Sequence, residues 1–364
     1  MAHGHPPAGR RPAVKALILA GGQGTRLRPL TDRLPKPMAP IVNRPFLERM
    51  LGWLRRHRIT EVVLAIGYLP EVVRAHFGDG AALGAHIDYA IETKPLGTGG
   101  GIQHAAAGLD STCLAFNGDI LTDIDLTAVL AAHRQRRALA TLTLIEVPDP
   151  SRFGVVEIDA DSRVRAFREK PAPGETVSRT INAGIYVLEP DAVRRMPTGA
   201  FSIEREFFPS LIAAEEPVYG YLARNCYWKD VGTIQQYLEA HDDIFRLRFR
   251  TEIPGRLVRP GLFIEGEASI APDAALADPV VIGPGVVIER GARLSGGVTV
   301  GAGARIGAGA QVHHSVLWPE AVVEAGAMVR SSILATGARV AAGAVLRHRA
   351  LGPDEVWTEK AAAT

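Results

Sequence analysis

Between residues 264 and 312 an aliphatic side chain recurs at every sixth position: Ile264, Ile270, Leu276, Ile282, Ile288, Leu294, Val300, Ile306 and Val312. A six-residue period fits neither the 3.6-residue turn of an α-helix nor the two-residue alternation of a plain strand. It fits a chain wound into coils, with each apolar residue pointing inward and small residues permitting the turns. Gly or Pro follows several of these positions closely. The phase slips by one after Val312, resumes as Leu317, Val323 and Val329, and slips again to Leu334, Val340 and Leu346. One coil cannot bury its own interior, so such an array is stable only as a stack. Residues 261–350 are therefore expected to form a left-handed parallel β-helix, followed by a tail over 351–364.

A different rule governs residues 14–245. Short aliphatic runs at Ala16–Ala20, Glu61–Ile66, His86–Ile91, Cys113–Phe116, Ala140–Glu146, Val155–Ile158 and Gly184–Leu188 read as strands. Amphipathic stretches at Phe46–Arg56, Pro70–Phe77, Gly100–Ala107, Leu126–Arg136, Glu204–Ala214 and Ile234–Arg246 read as helices. Strand followed by helix, repeated, predicts an α/β fold: a Rossmann-like, mostly parallel sheet with flanking helices. Ligands in such sheets bind beyond the carboxyl ends of the strands. Residues 246–260 read as a linker, and residues 1–13, rich in Pro, Gly and Ala, as a disordered tail.

Composition excludes several classes. With 41 basic against 39 acidic residues, the chain makes no case for a nucleic-acid or membrane surface. No apolar run approaches the ~20 residues needed to span a bilayer. Arg10 and Arg11 precede an apolar run that breaks at Gly21 and Gly22, too short for an export signal. The two cysteines, Cys113 and Cys226, lie too far apart for a metal-binding pair, and a reducing cytoplasm fits.

Four segments carry chemistry. In ALILAGGQGTRLRPLTDRLPKPM, residues 16–38, a strand runs into Gly21, Gly22, Gly24 and Thr25, with Arg26, Arg28 and Lys36 close behind. Glycines let backbone amides approach a polyphosphate, and cations stabilise charge on a leaving group. A P-loop is excluded because Thr25 and Arg26, not Lys and Ser, follow Gly24; a dinucleotide fingerprint would need a glycine at Leu27. In Glu92 to Gly100, glycines placed just before a helix expose its N-terminal amides. Asp119 follows an apolar strand within Phe116-Asn117-Gly118-Asp119, a suitable place to hold Mg²⁺. Its candidate partner, Asp230 in Trp228-Lys229-Asp230, lies 111 residues away, so only the fold can unite them. Asp123 and Asp125 read as a turn and a helix cap, and Ser202 as another cap. Phe153-Gly154-Val155-Val156, Glu169-Lys170-Pro171 and Ile181-Asn182-Ala183-Gly184 form the fourth group.

These strings resemble, in order, the motifs of the sugar-nucleotide pyrophosphorylases: GGxGTRLxPLTxxxPKP, PLGT(A/G)G, YGVV, EKP and INAGxY. The resemblance covers about residues 14–350, and the GTGG variant looks most like the guanylyltransferases acting on mannose 1-phosphate. It implies transfer of a nucleotidyl group from an NTP, with GTP favoured, to a hexose 1-phosphate, with release of pyrophosphate. The nucleotide would be held by Leu19, Ala20, Gly21, Gly22, Gly24, Thr25 and Arg26, together with Gly97, Thr98 and Asn117. Gly154, Glu169, Lys170, Asn182 and Gly184 would hold the sugar phosphate. Asp119 and Asp230 would coordinate Mg²⁺. Arg26, Lys36, Asp119, Lys170 and Asp230 would carry catalysis.

Three other readings stand beside this one. One is the same reaction with uridylyl, thymidylyl or adenylyl transfer to glucose 1-phosphate. A non-catalytic regulatory homologue would bind an NDP-sugar without chemistry. A β-helix can also serve acyl transfer, with His313 or His314 as general base. The β-helix is further expected to mediate homo-oligomerisation through an exposed coil surface.

Overall fold

The structure, a computed structural model, describes residues 14–172 and 178–359. The expected tail at residues 1–13 lies outside the described residues. Among the described residues, thirteen strands and seven α-helices lie within 15–245. The strands are β1 (Lys15–Leu19), β2 (Pro40–Ile41), β3 (Arg44–Pro45), β4 (Glu61–Ile66), β5 (His86–Ile91), β6 (Cys113–Asn117), β7 (Ile120–Thr122), β8 (Ala140–Glu146), β9 (Gly154–Ile158), β10 (Val164–Glu169), β11 (Thr180–Leu188), β12 (Val218–Leu222) and β13 (Trp228–Asp230). The helices are α1 (Phe46–Arg56), α2 (Pro70–Phe77), α3 (Gly97–Ala105), α4 (Leu126–Arg136), α5 (Pro190–Arg194), α6 (Phe208–Ala213) and α7 (Ile234–Phe245).

The main sheet runs β10-β9-β11-β6-β1-β4-β5, and β8 joins β11 to β12. Its Rossmann-like part is parallel: β6, β1, β4 and β5 all point one way, as aliphatic runs separated by helical crossovers require. Antiparallel β11 then joins β6, β8 and β9. β11 is longer than its aliphatic run because Thr180–Asn182 also pair with β8, and its register shifts between Asn182 and Tyr186, around Gly184 at φ 69°. Bulges of this kind re-aim side chains at the edge of a site. One small ladder lies apart from the sheet: β13 runs antiparallel to β7, setting Asp230 opposite Ile120.

The expected helix Gly100–Ala107 begins three residues earlier, at Gly97. Glycine is a poor helix former, but here close packing requires it. A Cβ at Gly99 would lie 2.1 Å from the Phe201 ring, and one at Gly100 would lie 2.3 Å from the Gly199 carbonyl oxygen. The expected helix Glu204–Ala214 divides into a π-helical turn, Ile203–Phe207, and α6. Asp125 and Ser202 cap as expected, and Asp123 accepts a hydrogen bond from the Tyr227 amide.

The C-terminal part is a stack of parallel strands. Strand Val280–Ile282 pairs with Val298–Val300, which pairs in turn with Ser315–Leu317. Ile282, Ile288, Leu294, Val300, Ile306 and Val312 are all buried inside the stack. Paired positions lie 18 residues apart in the early coils and 17 apart from Val298↔Ser315 onward, which is how the slips in phase are accommodated. The stack extends past residue 350: Val356–Trp357 pairs with Arg339–Val340. Nor do residues 246–260 span a gap, since Phe249 is buried and Arg256–Arg259 pairs with Leu262–Ile264. One hydrophobic cluster contains Ile41, Tyr237 and Ile244 together with Val281, Val316, Trp318 and Ile333. The α/β part and the β-helix thus share a core.

Candidate active site

Beyond the carboxyl ends of β1 and β6 lies a cavity of about 480 Å³. Leu19, Ala20, Gly21, Gly22, Gly24, Thr25 and Arg26 form one wall, as the strand-to-loop turn after β1 dictates. Of these glycines only Gly24 takes a left-handed conformation, at φ 62°. Lys36, Gly97, Thr98, Asn117 and Asp119 complete the set that the sequence placed there.

The two candidate metal ligands come together through main-chain pairing. Gly118 donates its N–H to the Leu19 carbonyl at 2.9 Å, and a Cβ at Gly118 would lie 2.3 Å from that oxygen. The turn after β6 is thereby pressed against the end of β1. The Val231 N–H donates to the Asp119 carbonyl at 3.0 Å, which anchors β13 alongside. Lys36 Nζ meets Asp119 Oδ2 at 2.7 Å, with the lysine largely buried. Burial, and then the Asp119 charge, push the Asp230 carboxyl above its usual range; Lys36, Arg26 and Arg152 pull it back. Asp230 Oδ1 and Asn117 Oδ1 are both buried without a hydrogen-bond partner. Two neighbouring carboxylates with an unpaired buried oxygen suit a hard divalent cation that takes its other ligands from water and phosphate. Among the described residues no cluster of three or more His, Cys, Asp or Glu side chains is placed to hold a metal.

The expected sugar-phosphate residues line neither this cavity nor the one of about 580 Å³ that borders Phe153, Trp228 and Asp230. Two of them, Asn182 and Gly184, connect to the first through hydrogen bonds. Glu204 accepts from Thr98 Oγ1 and from the Tyr186 hydroxyl, and Tyr186 in turn accepts from Asn182 Nδ2 at 2.7 Å. Asn182 Oδ1 accepts from the Gly184 N–H at 3.0 Å, so both ends of that amide are engaged within the protein. Gly184 leaves room for Asn117: a Cβ there would lie 2.7 Å from Asn117 Nδ2. Gly154 similarly packs against the Glu169 carboxylate, whose pKa is raised by burial and by Glu204. Lys170 Nζ lies 3.7 Å from Glu169 and is mostly exposed.

One expectation fails. The Gly99 and Gly100 amides at the start of α3 are not open to a ligand: both donate to the Phe201 carbonyl, at 3.0 and 3.4 Å. The sequence reading also omitted four residues. Glu92, at the carboxyl end of β5, lines the cavity and accepts from the Leu96 N–H; the strand-end rule applied to Asp119 would have found it. Arg152 acts on Asp230, and its place beside Phe153-Gly154 was the available signal. Glu204 stood only as the first residue of an expected helix. Gly232 underlies the Arg26 guanidinium; it follows Asp230 closely in the sequence but was given no role of its own.

Residues 15–246 match the family described as Nucleotidyl transferase, and residues 279–314 match Bacterial transferase hexapeptide (six repeats). The chain belongs to the nucleotidyl transferase family. Among the members it resembles is a mannose-1-phosphate guanylyltransferase of Mycobacterium tuberculosis, 45% identical over 236 residues, 64% of this chain and 65% of that one. A UTP–glucose-1-phosphate uridylyltransferase of Synechocystis is 35% identical over 266 residues, 69% of this chain and 68% of that one. These alignments therefore cover about two thirds of the relatives' own lengths. The crystal structure of HddC from Yersinia pseudotuberculosis, complexed with GMP-PN, superposes with a TM-score of 0.56 at 28% identity, covering 64% of this chain and 99% of that one. Among the described residues no helix of this nucleotidyl transferase is long and apolar enough to cross a membrane.

Proposed function

We propose that this nucleotidyl transferase joins an NTP to a hexose 1-phosphate, releasing pyrophosphate, with GTP and mannose 1-phosphate as its substrates. The observation that carries the proposal is the Lys36–Asp119–Asp230 cluster, flanked by Arg26, at the end of the glycine loop. Cations and paired carboxylates gathered around one cavity suit chemistry between two polyanions.

The nucleophile is an oxygen of the sugar phosphate, already anionic near pH 7, so no side-chain base is needed. It forms a bond to the α-phosphorus as the bond from that phosphorus to the β-bridging oxygen breaks; pyrophosphate leaves with the electron pair. Arg26, resting against Gly232, holds the departing pyrophosphate. Lys36 sits at the reacting centre, where Asp119 fixes its ammonium. Lys170 meets the sugar phosphate and Glu169 accepts from sugar hydroxyls. Asp119 and Asp230 would hold a Mg²⁺ ion, which supplies charge neutralisation between the two substrates. Holding two reactants in line can contribute up to about 7–11 kcal/mol.

The Mycobacterium relative and the GMP-PN complex support guanylyl transfer, while the Synechocystis relative supports uridylyl transfer to glucose 1-phosphate as the second reading. Acyl transfer has less support: His314 is bonded to Asp242 and His313 to Ser295, contacts of a packed joint. A nucleotide-rich cytoplasm suits the reaction, and the edge strand Arg256–Arg259, with exposed Leu257 and Val258, offers the β-helix a surface for self-association. The test is pyrophosphate release with Mg²⁺, crossing five NTPs against mannose 1-phosphate and glucose 1-phosphate. Release with GTP and mannose 1-phosphate alone supports the proposal. Release with another pair corrects the substrates, and none from folded protein rejects the enzyme in favour of a regulatory homologue.

A further inference from the structure

The stretch from Gly24 to Pro45 carries both Arg26 and Lys36, and the β-helix holds it from below at both ends. Near its start, Pro29 lies against Gly352 of the last coil, where a Cβ would be 3.1 Å from the proline Cβ. Arg33 pairs with Asp354 at 2.6 Å, an exposed contact of little weight alone. Its other end, the β2–β3 hairpin beginning four residues after Lys36, is gripped far more firmly. Asn43 Nδ2 donates to the Val300 carbonyl at 2.9 Å, and Arg44 makes a forked pair with Glu265. The Tyr237 hydroxyl donates to the Pro40 carbonyl while accepting from Trp318 Nε1 at 3.0 Å. His241 Nε2 accepts the Val42 N–H at 3.1 Å, and its Nδ1 donates to the Tyr237 carbonyl. Arg49 closes the underside on the Ile41 and Val42 carbonyls. Tyr237, Trp318 and His241 are essentially inaccessible to water.

Such an arrangement exceeds what docking two domains requires. Apolar contact alone would join them, and the shared core already supplies it. Instead the Pro40, Ile41 and Val42 carbonyls and the Val42 N–H are all met by side chains, and one indole N–H of the β-helix completes the set. A buried network satisfied this fully holds a unique geometry. The candidate site residue nearest to it along the chain is Lys36 of the Lys36–Met38 turn, whose ammonium meets Asp119.

We propose that Trp318 of the β-helix is a positioning residue for Lys36, acting through the Tyr237 hydroxyl and the Pro40 carbonyl. The β-helix is on this account part of the catalytic apparatus. The inference rests on the reading of Lys36 given above.

The test compares Trp318→Phe in the full-length wild type and in a Lys36→Ala background, following pyrophosphate release with Mg²⁺. Phe keeps the ring and drops one N–H. Loss of a single buried hydrogen bond to a positioning group predicts a fall in kcat of about threefold to tenfold, with KM for both substrates unchanged. In the Lys36→Ala background the same change is expected to have no further effect, since the group it positions is gone. Asn43→Gly, which preserves a backbone at φ 56° while removing the Val300 contact, should behave alike and stands in if Trp318→Phe fails to fold. Equal losses in the two backgrounds, or an unchanged kcat in a folded variant, would overturn the inference. Inactive wild type with every substrate pair would instead overturn the reading of the site itself.

Discussion

Gly232 offers a way to move Arg26, the cation proposed to hold the pyrophosphate, without disturbing the fold. A Cβ built there lies 2.9 Å from both terminal nitrogens of Arg26 and 3.0 Å from its Cζ. Ordinary contact begins near 3.5 Å, so Gly232→Ala must push the guanidinium back by about 0.5–1 Å. Gly232 lacks a left-handed φ, and alanine fits its backbone. What gives way is the end of a flexible, exposed side chain, so the fold should lose little. Replacing glycine in a compatible conformation even gains about 0.4–1 kcal/mol through the unfolded chain. The reaction is less forgiving, because a misplacement of about 1 Å at a reacting centre can cost 100-fold. We therefore expect kcat for pyrophosphate release to fall about 10- to 100-fold while the Tm stays within a few degrees of wild type. Arg26→Ala should be at least as slow, and adding Gly232→Ala to it should do nothing more. A folded Gly232→Ala enzyme with wild-type kcat would refute the argument, since Arg26 would then have no task at that spot. A large drop in Tm would refute it differently, by showing that the backbone rather than the arginine yields.

Asp230→Asn removes one of two neighbouring carboxylates, so thermal melts without metal should show stability retained or raised, while pyrophosphate release falls about 100-fold or more if the pair holds Mg²⁺. Gly99→Ala drives a methyl into the buried Phe201 ring and should cost about 1–3 kcal/mol, read as a lower urea midpoint at unchanged slope. His241 is fully buried and its pKa is lowered from 6.5 to about 4, chiefly by burial. The unfolded chain then binds an extra proton between those values, so stability is whole above pH 6.5 and declines as pH falls toward 4. The loss attributable to this one group is at most about 3 kcal/mol. His241→Gln should show a correspondingly shallower decline in denaturant melts across that window; an unchanged slope would exclude the histidine as its source.

Much of the catalytic part is legible locally. Strands such as Glu61–Ile66 and helices such as Phe46–Arg56 and Leu126–Arg136 have the bounds their hydrophobic patterns suggest. The loop after β1 and the turn after β6 are readable for the same reason: glycine and a charged residue at a strand's carboxyl end need no distant partner to be recognised. What stays hidden depends on partners remote in sequence. The ladder of β13 on β7 that sets Asp230 beside Asp119 involves three-residue strands with no periodicity to read. The Gly97–Gly101 stretch resembles a loop because its reason for being helical is Phe201, a hundred residues on. Arg26 reads as a cation, but the bare Gly232 backbone that gives it a resting place is silent.

The slips in the six-residue period carry information of their own. At the first slip, Ser295-Gly296-Gly297-Val298 in one coil stacks on His313-His314-Ser315 in the next, one residue shorter. The corner of the shortened coil is taken by His314 at φ 45°, and the same corner recurs at Ser331 and His348, 17 residues apart, at 46° and 51°. Non-glycine residues rarely adopt this conformation, and holding one there has a cost that surrounding structure must offset. At the first corner that structure is α7: His314 Nε2 meets Asp242 at 3.0 Å, and Gly297 lies against Phe245. A regular stack would present six-residue sides to solvent indifferently along its length. Shortening a coil where α7 lies brings a polar corner residue within reach of that helix, and places Trp318, four residues later, beneath Tyr237. The departure from the repeat thus marks the face on which the catalytic part rests, and the period alone describes the interior.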